Sequence, residues 1–273
     1  MPNYFVLLWA FLLIGNPIAA DSESPIHRYK TGPITIMKMG FDLYQGLPER
    51  FQNKISVEPL GVDFTDNTSL ANTPYLRSKE EVDLDNLSQP KVLISPGFVD
   101  LVNHIAHARA LDAEERNYFR NYVEKVAQTE RGSRLPELPG LANDEYWSDE
   151  IMNEQLSNFY QMTGAAVSIE LSHHYLGHFK KYQGQIVDAD ENPIPINRFL
   201  SKAEWEEALL RGVRNALEAG YGVEGLIALY ESIDRMPKRP EWTEYFLPKK
   251  IRFRTLRRTV QRIQKDFFDG KEI

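Results

Sequence analysis

The chain has 273 residues, of which 42% are hydrophobic and 26% charged. That is ordinary globular composition with enough apolar material for a core that needs no covalent staples. Cysteine is absent, which excludes thiolate metal sites, cysteine nucleophiles and lipid attachment through sulfur. The net charge is −7, but the last 26 residues hold nine Lys or Arg and three Asp or Glu, a net +6 that leaves −13 on the rest. An acidic body argues against nucleic acid as a main partner.

The first twenty residues carry no charged side chain. Tyr4 to Ile14 is an apolar run of eleven, too short for a membrane span, and Gly15-Asn16-Pro17 interrupts it. Ile18-Ala19-Ala20 then places a small residue before Asp21. This pattern predicts a signal peptide over 1–20, cleaved after Ala20, and a periplasmic or secreted product. An export route without cysteines fits a bacterial periplasm.

Residues 21–90 form the next segment. Residues 21–32 are polar. Pro33-Ile34-Thr35-Ile36-Met37-Lys38-Met39 predicts a first strand, and the alternation in Lys54-Ile55-Ser56-Val57-Glu58-Pro59-Leu60 predicts a second. Residues 65–89 are polar, acidic and aperiodic, which predicts a long surface loop.

Residues 91–247 carry the chemistry. Lys91-Val92-Leu93-Ile94-Ser95 predicts a strand that Pro96-Gly97 turns into a helix ending near Leu111. A second helical pattern covers 112–129, and the Gly/Pro-rich stretch 131–143 ends it. Ser148 caps a long helix running towards Tyr182, bent near Gly164, with Trp147 and Met152 as a hydrophobic staple. This helix is apolar nearly all round, which predicts burial. Ser201 and Glu204 form a capping box for a helix over 202–219, and another helix covers 223–233. Trp242, Tyr245 and Phe246 are expected in the core, with a groove as the alternative. Residues 248–273 predict a solvated basic helix packed by an apolar stripe from Phe253 to Phe267, with weak contact between the basic helix and an anionic membrane surface as the alternative.

Three of the six histidines fall in Ile169-Glu170-Leu171-Ser172-His173-His174-Tyr175-Leu176-Gly177-His178. On a continuous helix Glu170, His174 and His178 share one face, with His173 beside them. Buried imidazoles and a carboxylate on one arc suit zinc or another divalent metal. The stretch admits two frames. His174 and His178 form an H-x-x-x-H pair with Glu170 one turn earlier, available as base, ligand or orienting acceptor. Alternatively Glu170 and His173 form the E-x-x-H of a metallopeptidase motif whose first histidine is replaced by Ile169. A buried Glu–His network without metal also satisfies these residues. His104 and His107, at i and i+3, are expected on a helix surface.

Residues 94–232, about half of the chain, resemble the HtpX-like gluzincin zinc metallopeptidases, the family that includes the CaaX prenyl proteases. Ile94-Ser95-Pro96-Gly97-Phe98-Val99-Asp100-Leu101 is similar to that family's strand and turn. The histidine-rich stretch is similar to its H-E-x-x-H-x-x-L-G-H. Glu207-Ala208-Leu209-Leu210-Arg211-Gly212 with Ala219-Gly220-Tyr221 is similar to its E-A-D-x-x-G and A-G-Y segments. The resemblance implies a mainly α fold with a small β-sheet (α+β), in a zincin-like architecture around the histidine-rich helix. It implies zinc held by His174, His178 and Glu207, with His173 as a further candidate ligand. Glu170 would be the general base for hydrolysis of a protein or peptide substrate. No frame holds a complete H-E-x-x-H, Leu209 replaces the family's Asp, and about 45 residues are inserted before the central helix. The alternative is a catalytically inactive relative serving as a structural, binding or chaperone-like module.

Overall fold

A computed structural model describes residues 33–82, 88–190 and 192–271. The expected signal peptide and the polar stretch 21–32 lie outside the described residues. The chain begins with α1 (Pro33–Gln45) and α2 (Glu49–Gln52), then β1 (Leu60–Val62), α3 (Thr68–Asn72), β2 (Leu76–Val82) and β3 (Ser88–Ile94). There follow α4 (Pro96–Leu111), α5 (Tyr118–Val126), α6 (Asp149–Tyr175), α7 (His178–Tyr182), α8 (Lys202–Glu218), α9 (Glu224–Arg235) and α10 (Phe253–Phe268). The protein is therefore mainly helical with a small sheet, as expected.

Helix α6 is the centre of the packing. It lies against α4, α8 and α9, and against both β2 and β3. Its second half is buried without a break from Met162 to Tyr175, which explains why the sequence there is apolar all round. Ser148 caps its start by accepting the Ile151 amide, and the helix is continuous through Gly164. That glycine makes room for a ring: a Cβ there would lie 2.9 Å from Tyr221. At Gly212 the approach of α8 is tighter still. A Cβ would fall 2.4 Å from the Ile169 Cα, so α6 and α8 cross with almost no side chain between them.

The sheet has the order β1-β3-β2, with β1 parallel and β2 antiparallel to β3. Ser95 joins sheet to helix. Its hydroxyl caps α4 by accepting the Phe98 amide, accepts the Tyr75 amide and donates to the Thr73 carbonyl. The strand-to-helix turn at Pro96-Gly97, the Ser201–Glu204 capping box and the stripes of α8, α9 and α10 are found as expected.

Five expectations fail. The first strand is the helix α1: Ile36, Met39 and Leu43 are buried at helical spacing, and that period overrides the short alternation at its start. The second strand shrinks to Leu60–Val62 at the end of its range, since Pro59 has no amide to donate to a ladder. The loop over 65–89 holds α3, all of β2 and the start of β3. The helix expected over 112–129 forms only from Tyr118, after Asn117 adopts a left-handed φ of 66°. The central helix also stops early. It ends at Tyr175, Gly177 takes φ 80°, and α7 begins at His178.

Candidate functional site

The break at Gly177 decides which histidines meet. A continuous helix would stack His178 on His174. The left-handed turn instead brings the His178 ring back to His173, with the two Nδ1 atoms 3.1 Å apart. Burial lowers both pKa values, that of His173 to about 3. Both rings are thus neutral near pH 7, and one donates an N–H to the other. The Glu204 and Glu207 carboxylates oppose the effect at His178 by favouring its proton.

His174 faces elsewhere. It packs on the Phe179 ring, with centroids 4.6 Å apart, and donates to the Lys91 backbone carbonyl. Its Nε2 is buried with no hydrogen-bond partner, and burial lowers its pKa to about 4. Glu170 points towards the sheet. Ser78, on β2, donates its hydroxyl to Glu170 Oε1 at 2.9 Å and its amide to the same carboxylate. Burial dominates these bonds and raises the Glu170 pKa to about 7.

Glu207 is exposed on α8, while the neighbouring Glu204 accepts from Lys181 Nζ, the Tyr182 hydroxyl and the Ser201 amide. The expected ligands therefore divide. His173 and His178 converge, Glu170 is held by Ser78, His174 is held by Lys91, and Glu207 stands in solvent. Among the described residues no group of three or more His, Asp or Glu side chains is placed to hold a metal ion. Two nitrogens fit a zinc site and a third donor does not join them.

His104 and His107 are buried, contrary to the expected surface position. His104 Nδ1 lies 2.6 Å from the Tyr122 hydroxyl, which in turn donates to the Pro136 carbonyl at 3.2 Å. His107 approaches Gln155 Oε1 at 3.4 Å and packs on the Trp147 ring. Both rings thus fasten the stretch between α5 and α6. Burial lowers each pKa to about 4.

A scan against protein-family models matches nothing. Searches of curated proteins and of solved structures return no match either. The site's own geometry therefore carries the functional argument.

Glu170 and His173 line a small cavity of about 10 Å³, together with Asn197 and Tyr245. That is room for one water. Tyr245 has a second exposure. It also lines an open cleft of about 800 Å³ bounded by α3, the end of α5, the 188–195 loop and residues 237–242. Its hydroxyl donates to the Pro193 carbonyl, which fixes it as the wall between cleft and cavity. Trp242 lines the same cleft, whereas Phe246 stacks on Phe98 in the core, so the aromatic cluster serves both purposes. Ser78, Asn197 and Tyr245 carried no catalytic signal in the sequence. Ser78 was visible only as a polar residue in an aperiodic stretch.

Proposed function

We propose that this chain is a catalytically inactive relative of the HtpX-like gluzincin metallopeptidases, a binding module whose histidine-rich helix is kept for structure. The observation that carries this reading is the setting of Glu170. A general base must reach a water that also reaches the substrate carbonyl. Glu170 instead faces Ser78 across the interface of α6 and β2, beside a void of about 10 Å³. Ile169, which carries no donor atom, stands where the Glu-retaining frame needs a histidine, packed against Gly212 of α8. The open cleft beyond Tyr245 has the volume of a ligand site. It offers Trp242 and Ile194 as apolar contacts and Arg131, Asp188 and Glu241 as charges of both signs, a lining suited to a short polypeptide segment.

A second reading, the zinc metallopeptidase itself, rests on one distance. Two nitrogens bound to one tetrahedral zinc at about 2.0–2.1 Å lie about 3.3 Å apart. The His173–His178 separation of 3.1 Å is close to that value. Zinc bound there would supply a Lewis acid and an acidified water, and this chain's part would be to present the two imidazoles.

One experiment separates the readings. The metal-stripped protein is titrated with zinc by calorimetry and then assayed on unstructured casein. The binding-module reading expects neither stoichiometric zinc nor hydrolysis. One zinc per chain, lost in His173→Ala together with casein cleavage lost in Glu170→Gln, establishes the peptidase instead.

A further inference from the structure

Helix α10 carries a charge pattern that its packing does not use. Leu256, Val260 and Ile263 are buried against α8 and α9. At 100° per residue, Arg254, Arg258, Arg262 and Lys265 fall within an arc of about 80° roughly opposite that stripe, spread over about 16 Å of helix. All four are exposed. Among the described residues no carboxylate forms a salt bridge with any of them, and Asp266, off the arc, pairs with Lys271. Phe268, at the end of the helix, is 72% exposed.

Next to this arc lies a pocket of about 310 Å³ between the first turns of α8 and α10. Lys202, Lys250 and Arg252 line it as cations. The one carboxylate among its lining residues is Glu206, 3.6 Å from the exposed Lys202 ammonium. Leu200, Trp205 and Leu256, all nearly fully buried, form its apolar wall. Thr255 and Thr259 connect the pocket to the arginine face around the helix.

We propose that α10 and this pocket form a docking face for an anionic phospholipid bilayer, the arginines lying on the phosphates and one lipid's head and glycerol entering the pocket. One feature chooses lipid over another polyanion. A nucleic acid backbone matches the arginines but leaves the apolar wall and Phe268 without a partner, whereas a phospholipid supplies charge and apolar surface together. The inference stands on α10 and its pocket alone and is independent of what the histidine-rich helix does.

Vesicle co-sedimentation of the full chain tests it. The quantity read is the gain in partitioning from pure phosphatidylcholine to mixed phosphatidylcholine–phosphatidylglycerol vesicles, so contributions of the apolar first twenty residues cancel. A gain that falls with added salt is expected. The triple substitution Arg254→Gln, Arg258→Gln, Arg262→Gln removes on the order of a hundredfold of it, at about fivefold for each arginine near an anionic surface. Thr259→Trp, which fills the pocket, lowers the gain while leaving thermal unfolding unchanged. Arg258→Glu gives a single-site check of the same sign. No gain on anionic vesicles, a triple variant that partitions like the parent, or tighter binding to a DNA duplex than to the vesicles at equal salt overturns the proposal.

Discussion

Glu170 shows what one buried carboxylate does for the helix that carries it. Its side chain links α6 to β2 through the Ser78 hydroxyl, and burial raises its pKa to about 7. The folded state therefore binds a proton that the unfolded chain releases at about 4.5. The stability gained from this proton is complete below about pH 4.5 and is lost as pH rises through about 7. Glu170→Gln keeps a carbonyl to accept from Ser78 and cannot ionise. The variant is expected to be more stable than the parent at pH 8, by about 1–3 kcal/mol, with the difference closing towards pH 5. Urea unfolding at the two pH values measures it. Equal stability at pH 8 places Glu170 in contact with solvent and removes the main support for a structural role.

At the scale of elements, the crossing of α6 and α8 at Ile169 and Gly212 sets how closely the central helix is held. A methyl group at Gly212 meets the Ile169 Cα at 2.4 Å and its Cγ1 at 2.7 Å, and neither helix backbone yields cheaply. Gly212→Ala is expected to lower stability by about 1–3 kcal/mol through overpacking, even though alanine favours a helix by up to about 1 kcal/mol. Denaturant unfolding reads the sign: a stabilised variant means the helices sit further apart than described. The elements legible in the sequence are those with one dominant signal. Helices α4, α8, α9 and α10 announce themselves by apolar stripes and, for α4 and α8, by capping serines. Strand β2 was hidden because its inward residue Ser78 is polar, chosen as partner for a carboxylate 92 positions later. That relation has no local trace. The turn at Gly177 was hidden for the opposite reason. Leu176 and Phe179 continue the apolar pattern across it, so periodicity sees one helix where a left-handed glycine makes two. The pairing of His173 with His178 follows from that single φ angle, which is why the sequence could name the site residues but not match them.

For the whole molecule, the histidines matter more than Glu170 on the acid side. His104, His107, His173 and His174 are buried with pKa values lowered to about 4, 4, 3 and 4, burial being the largest cause in each. Each binds its proton more readily in the unfolded chain, where it titrates near 6.5. The stability they allow is complete above that value and is lost as pH falls towards 4. At pH 5 each has lost about 2 kcal/mol, and the four together amount to several kcal/mol, comparable to the whole stability of a domain. Glu170 acts with the opposite sign between about 4.5 and 7, but it is one group against four. Stability should therefore rise to a plateau above about pH 7 and collapse cooperatively on acidification. The two histidine pairs lie in different places, one holding the stretch between α5 and α6 and the other joining α6 to α7. They can be read separately. Trp147 packs on His107 at 4.7 Å, so in a chain with Trp9, Trp205 and Trp242 replaced by Phe its fluorescence should report release of the stretch between α5 and α6, while far-UV circular dichroism reports the helical body. Coincident acid transitions by both probes mean that one proton-driven unfolding couples the two clusters through α6. His104→Asn should move both midpoints to lower pH, and a variant that moves only the fluorescence midpoint shows that the stretch between α5 and α6 opens on its own.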